Sequence, residues 1–221
     1  MLAGLSRQFY PFPRNESQPS RFAGALHSDS ILRTTMGNLP AIILLAVLLP
    51  AVGVFVFRKA ARDYNRHGRL TKSSSALEVA TFVLHGASSL VFLDSRLSAI
   101  DTAGPLFGFG LVLLGGGLVM LAATMVRFGV KRAVGRETSG LTCSGIYRKT
   151  RNPQVIFYGI AVVGYSLLWP SWTGAIWVVL YAILAELMVR TEEEHLKQAY
   201  GTEFVEYCES TPRYIDVPGK K

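Results

Sequence analysis

Cysteine is almost missing from this chain: Cys143 and Cys208 are the only two among 221 residues, and they form no Cys-x-x-Cys pair. That excludes a disulfide-stapled scaffold and a thiolate metal site. The four histidines, His27, His67, His85 and His195, are scattered and make no pair at helical spacing, so no metal is expected. Charge is also scarce. Only 17% of residues are charged, where a soluble domain has about a quarter. Acidic residues are the scarcer sign, 15 against 23 Lys and Arg, which leaves a net charge of +8. No stacking-aromatic or basic-stripe pattern accompanies that surplus, so nucleic acid is not an expected partner. Membrane proteins collect Lys and Arg on the cytoplasmic side, which accounts for the surplus.

What the chain does have is long apolar runs. Half of it is hydrophobic and the mean hydropathy is +0.30. Residues 1–38 are polar and irregular, with Pro11, Pro13 and Pro19 and no apolar signal-peptide core, and read as a disordered or non-native tail. Met36 directly precedes the first apolar run and is a candidate start. Leu39–Phe57 is uncharged over a length of roughly 29 Å as a helix, close to the bilayer hydrocarbon, with Pro50 expected to kink it. A basic loop, Arg58–Lys72, follows. Ala76–Leu97 is the weakest span, carrying His85 mid-segment and Asp94 near its end; the reading for His85 is a hydrogen-bonded interior residue. Ala103–Val126 is a clear span in which Gly108, Gly110, Gly115, Gly116 and Gly117 allow close helix approach. A long basic loop runs from Arg127 to Pro153. Gln154–Trp169 and Trp172–Val189 then form a helical hairpin closed by Pro170-Ser171, with Trp169 and Trp172 suited to the interface.

These segments predict an all-α, polytopic membrane bundle of about five spans. Its parts are the tail (1–38), the first membrane helices (39–126) and a C-terminal core (127–221). With the C terminus inside, the cytoplasmic loops hold six, seven and five basic residues, that is 18 of the 23. The bias supports a multi-pass protein whose basic loops face the cytoplasm.

Two polar stretches flank the hairpin on that face. Gly145 to Pro153 is basic, through Arg148, Lys149 and Arg151. Asn152-Pro153 reads as a helix start, Asn capping and Pro in the first turn. Free N–H groups there, beside cations, can bind a carboxylate. Tyr147 offers an aromatic face, and Gly140 and Gly145 allow close backbone approach. The second stretch is Arg190-Thr191-Glu192-Glu193, with Glu194 next. Arg190 can reach Glu193 or Glu194 along a helix, while one Glu can take an ammonium or a ribose hydroxyl.

These residues resemble the isoprenylcysteine carboxyl methyltransferase family, part of a broader group with phospholipid N-methyltransferases and bacterial thiol methyltransferases. The similarity rests on Leu141 to Tyr147, Arg151-Asn152-Pro153, Arg190, Glu192-Glu193, Tyr200-Gly201 to Tyr207, and Pro212-Arg213-Tyr214, in that order around a hairpin. It spans roughly residues 127–215. It implies S-adenosylmethionine as cofactor, with Ser139, Gly140, Leu141 and Thr142 lining the pocket and Tyr147 flanking the cofactor. Asn152, Pro153, Gln154 and Val155 continue the pocket, Glu192 binds a polar part of the cofactor, and Arg190 takes the anion of the acceptor. The chain departs from the prenylcysteine enzymes at Asn152 (their His), at Val155 (their Tyr), and at Arg190, which stands two residues before the Glu pair rather than four. On a helix that spacing turns the side chain by about 200° and is closer to the thiol or lipid methyltransferases.

The resemblance therefore implies methyl transfer to a lipid-like or small hydrophobic acceptor that enters from the membrane lipids. A prenylcysteine-like carboxylate is the first expectation; a thiol or a phospholipid amine is the alternative. A membrane scaffold without catalysis is the non-enzyme reading, separable by its failure to bind cofactor. A thiol or amine must lose a proton, and the motifs show no obvious base.

Overall fold

A computed structural model describes residues 19–93, 104–129 and 140–215, with side chains in the first helix described from Asn38 onward. Six α-helices and one short turn of 3-10 helix form the described chain: α1 (Pro19–His67), α2 (Lys72–Leu93), α3 (Pro105–Phe128), the 3-10 turn (Gly145–Arg148), α4 (Pro153–Leu168), α5 (Trp172–Tyr200) and α6 (Thr202–Ser210). No strand occurs among the described residues. Four helical stretches are long and apolar enough to cross a membrane: Asn38–His67, Lys72–Leu93, Pro105–Phe128 and Trp172–Tyr200. The fifth expected span is the shorter apolar helix α4, of 16 residues, about 24 Å long. Of the tail expected over 1–38, residues 1–18 lie outside the described residues, and Pro19–Gly37 is helical backbone. Asp94 also lies outside them.

The lipid-facing surface is apolar. Val47, Phe55, Val83, Leu90, Val112, Val119 and Val126 are all exposed, as suits helices whose solvent is hydrocarbon rather than water. The buried side is knit by backbone-directed hydrogen bonds from polar side chains. His85 is buried, its ring 4.7 Å from and nearly parallel to that of Trp177, with Nε2 3.1 Å from the Trp177 carbonyl. Trp177 Nε1 donates to the His85 carbonyl at 2.9 Å, and Thr173 Oγ1 to the Phe92 carbonyl at 2.7 Å. These bonds fix α2 against α5. His85 is thus the interior residue expected.

The glycines of α3 divide sharply. A Cβ on Gly110 would stand 2.9 Å from the Gly164 carbonyl oxygen, and one on Gly117 would stand 2.7 Å from the Ala161 nitrogen. Here α3 and α4 touch backbone to backbone. Gly108, Gly115 and Gly116 face nothing within 4 Å, so the close approach expected of all five belongs to two.

Two boundaries differ from those expected. Arg58–His67 is not loop: α1 continues through Pro40 and Pro50 to His67. Gly68, at φ +65°, ends it by donating its N–H to the Tyr64 carbonyl at 2.9 Å. The return to α2 is then pinned by Asp63, whose Oδ2 accepts from Thr71 N at 3.1 Å, and by Lys59, whose Nζ donates to Ser74 Oγ at 2.6 Å. Likewise α5 runs well past Val189 to Tyr200. Both helices therefore project beyond their apolar stretches and carry polar side chains to one end of the bundle.

Replacing Gly117 with Val should force α3 from α4 at an overpacking cost of about 1–3 kcal/mol, read as a lower unfolding temperature in detergent. Gly116→Val, facing open space, should leave that temperature within a degree or two of the native protein.

Candidate functional site

The basic motif folds into a compact loop because its backbone groups find partners in the C-terminal segment. Gly145, at φ +62°, opens the 3-10 turn. Arg151 N donates to the Pro212 carbonyl at 3.0 Å. Thr150 Oγ1 and Asn152 Nδ2 both donate to the Arg213 carbonyl, at 3.2 and 3.0 Å. Asn152 does occupy the residue before α4, with Pro153 in the first turn, but its side chain makes no capping hydrogen bond. It has been recruited by the tail instead, which corrects the expected cap.

Glu193 joins the parts. Its Oε2 accepts from Arg213 Nη2 at 2.6 Å, and its Oε1 lies 3.1 Å from Arg151 Nη2 as an ion pair out of hydrogen-bond alignment. Arg151 and Glu193 side chains are only 11% and 13% exposed, so the pair is buried enough to matter. Arg213 also donates to Glu186 Oε1 at 3.1 Å, and Tyr214 Oη to Glu186 Oε2 at 2.7 Å. The bond to Glu193, reinforced by both carboxylates, holds Arg213 above its ordinary pKa. Tyr207 Oη donates to the Tyr147 carbonyl at 2.6 Å, closing α6 onto the turn; burial pushes its hydroxyl pKa up.

Two adjoining cavities open beside this lock. Gly140, Leu141, Thr142 and His195 help line the first. Glu78, Gln154, Val155, Met188 and Thr191 help line the second. The two share Tyr64, Phe128, Tyr147, Arg151, Asn152 and Glu192. The expected residues Gly140, Leu141, Thr142, Tyr147, Asn152, Gln154, Val155 and Glu192 are thereby brought together. Pro153 is fully buried behind them. Ser139 lies outside the described residues. Tyr147 stacks on Phe128, centroids 5.0 Å apart, and its hydroxyl accepts from Gln154 Nε2.

Arg190 stands apart. Its side chain is 70% exposed, lines neither cavity, and pairs backward with Glu186 at 2.6 Å rather than forward with Glu193 or Glu194. The helical turn between Arg190 and Glu192 separates them by about 200°, so when Glu192 faces the cavities Arg190 faces away. The arginine that reaches the cavities is Arg151.

Three titratable lining residues were not singled out by sequence. Tyr64 was assigned to loop. His195 was noted only as scattered, yet it follows Glu192 by three residues on one helical face. It is 6% exposed, stacks on Tyr64 with centroids 4.0 Å apart, and has no partner at Nε2. Glu78 is the sole acidic residue between Asp63 and Asp94, and an acidic residue inside an apolar span was the signal available. No group of three or more His, Cys, Asp and Glu suited to a metal occurs among the described residues.

Residues 105–203 match the model of the phospholipid methyltransferase family. The resemblance carried by the two motifs falls within the group of membrane methyltransferases that this family model describes. Neither curated proteins nor solved structures yield a significant match.

Breaking the lock should cost more than breaking the exposed pair. Glu193→Ala strands Arg151 in a buried setting and should destabilise the fold by about 3 kcal/mol. Arg190→Ala should cost under about 1 kcal/mol. Chemical denaturation in detergent, with limited proteolysis of the C-terminal segment, measures both.

Proposed function

We propose that this multi-pass membrane methyltransferase uses S-adenosylmethionine, bound from the cytoplasmic face, to methylate the amine of a lipid-like acceptor. The charge bias of the loops supports the orientation, since both cavities lie at the end of the bundle that carries the basic motif.

The donor set suits the cofactor. A bound amino-acid carboxylate finds Arg151, whose Nε is buried without a partner. An ammonium or ribose hydroxyl finds Glu192. The aromatic faces of Tyr64, Phe128 and Tyr147 suit a sulfonium or a purine ring, and His195 Nε2 offers a further hydrogen bond. Backbone at Gly140, Leu141 and Thr142 and the start of α4 at Asn152, Gln154 and Val155, packed over the buried Pro153, complete the pocket. When bound, S-adenosylmethionine supplies an activated methyl group on a good leaving group. The protein's share is then to align the acceptor, exclude water and manage the proton.

The charges that remain bear on the acceptor's chemistry. A carboxylate acceptor needs a cation within the second cavity, but Arg190 points away, and Arg151, paired with Glu193, is taken up by the cofactor's carboxylate. The second cavity instead presents two carboxylates, Glu78 and Glu192. That pairing is the observation that carries the reading: it favours an acceptor that is itself cationic before reaction. An amine lipid fits this better than the prenylcysteine carboxylate first expected or a thiol. Exposed Arg127, on an adjoining groove between α3 and the 3-10 turn, offers a counter-charge for a lipid phosphate.

Glu192→Ala removes a charge-assisted hydrogen bond of about 1.5–3 kcal/mol. Titration with S-adenosylhomocysteine should show a loss of roughly 10- to 150-fold in affinity; unchanged affinity in folded protein removes Glu192 from the site. Arg190→Ala should alter neither cofactor affinity nor methylation of phosphatidylethanolamine. Binding of S-adenosylhomocysteine also separates an enzyme from a scaffold.

A further inference from the structure

We propose that Glu78, on α2 and outside the residues matched to the family, is the acceptor-side carboxylate of the site: it binds the acceptor's ammonium and takes its proton. This rests on the reading of the acceptor as an amine. A carboxylate in a membrane span is costly and needs a reason to be there. Among the described residues Glu78 has neither a hydrogen bond nor an ion pair to offset that cost. Lys59, on α1, is engaged by Ser74 and Asp63. The groups around Glu78 are Asp63 and Tyr64 from α1, Arg151 from the loop and Glu192 from α5. Arg151 is the sole cation of that set and is already held by Glu193. Asp63 is turned to Thr71.

An independent sign that this region awaits a ligand comes from the adjoining cavity. There His195, 6% exposed, leaves Nε2 without a partner. The two cavities share Glu192 and Tyr64, so an acceptor beside Glu78 and a ligand beside His195 would meet across them.

The proton step balances on the protein and acceptor alone. An ammonium N–H bond breaks, its electron pair stays on nitrogen, and the proton forms an O–H bond on the Glu78 carboxylate, later lost to water. The amine so released has the lone pair that methylation requires. Glu192, held on the shared wall, serves the cofactor side.

Glu78→Gln keeps the shape and removes the base. With detergent-purified full-length protein, affinity for S-adenosylhomocysteine should stay within about twofold. Affinity for dioctanoyl phosphatidylethanolamine, measured without cofactor, should fall at least about 10-fold. Methylation of phosphatidylethanolamine in phosphatidylcholine vesicles should fall roughly 100-fold near neutrality. It should recover as the pH rises toward the amine's own ionisation, about pH 8–10. Glu78→Asp, which keeps a shorter carboxylate, should lie between the two. A Gln variant that binds and methylates the amine lipid like the native protein, with the same pH profile, overturns the role of Glu78 and leaves the amine reading intact. Parallel loss of S-adenosylhomocysteine affinity means that Glu78 only supports the fold, and likewise overturns it. Native protein that binds S-adenosylhomocysteine yet turns over a prenylcysteine and not the amine lipid overturns both.

Discussion

Glu193 reaches Arg151 in the loop before α4 and Arg213 beyond α6, while standing on α5 between them. Three chain segments far apart in sequence are thus tied through one carboxylate in a poorly hydrated setting. A buried charge of this kind is worth little unless every partner is present, and its loss strands the others. The consequence for the site is geometric. With Glu193 committed to the lock, its neighbour Glu192 is turned into the cavities, and Arg190 is turned out toward Glu186. The hydrogen bonds of Thr150, Asn152 and Tyr207 then hold the loop closed against the tail.

The membrane helices supply the frame for that lock. α3 and α4 approach until backbone meets backbone at Gly110, Gly117 and Gly164. Within the bundle, α2 and α5 exchange hydrogen bonds through His85, Trp177 and Thr173. Because lipid is as apolar as the helices themselves, such contacts, and not hydrophobic burial, set how the helices meet. Glu78 sits on the same α2 that His85 anchors, so its place at the cavity follows from a contact two turns further along the helix. This is how a first half with no family motif contributes to a site whose motifs all lie in the second.

The proposed chemistry divides along the two cavities. One carries the small-residue backbone of Gly140 to Thr142 with His195, the other Glu78 with Gln154 and Val155. Glu192, Tyr64 and Tyr147 belong to both. A cofactor and a lipid acceptor that must react in line need such a shared wall, since most of the barrier to displacement at an activated methyl is met by alignment and exclusion of water.

Much of this was legible in the sequence. Uncharged runs of the length of a bilayer have few alternatives to helices, and their order around Pro170-Ser171 required a hairpin. The paired motifs marked most of the cavity wall, from Gly140 to Val155 and at Glu192, because backbone-binding loops and helix starts are local structures. What local pattern could not decide was where helices end and which way they are rotated. Tyr64 entered the site only because α1 runs on to His67 before Gly68 stops it. Asn152 makes no capping hydrogen bond; its Nδ2 donates instead to the Arg213 carbonyl, a partner 61 positions away that no local pattern shows. Arg151 lines the cavities and Arg190 does not, in keeping with a rotation of α5 in which Glu193 bonds to residues 42 positions before it and 20 after. Apolar runs determined a membrane helix bundle and motif order its likeness to membrane methyltransferases; long-range ion pairing and helix rotation, which exist only once the chain has folded, decided which charges face its cavities.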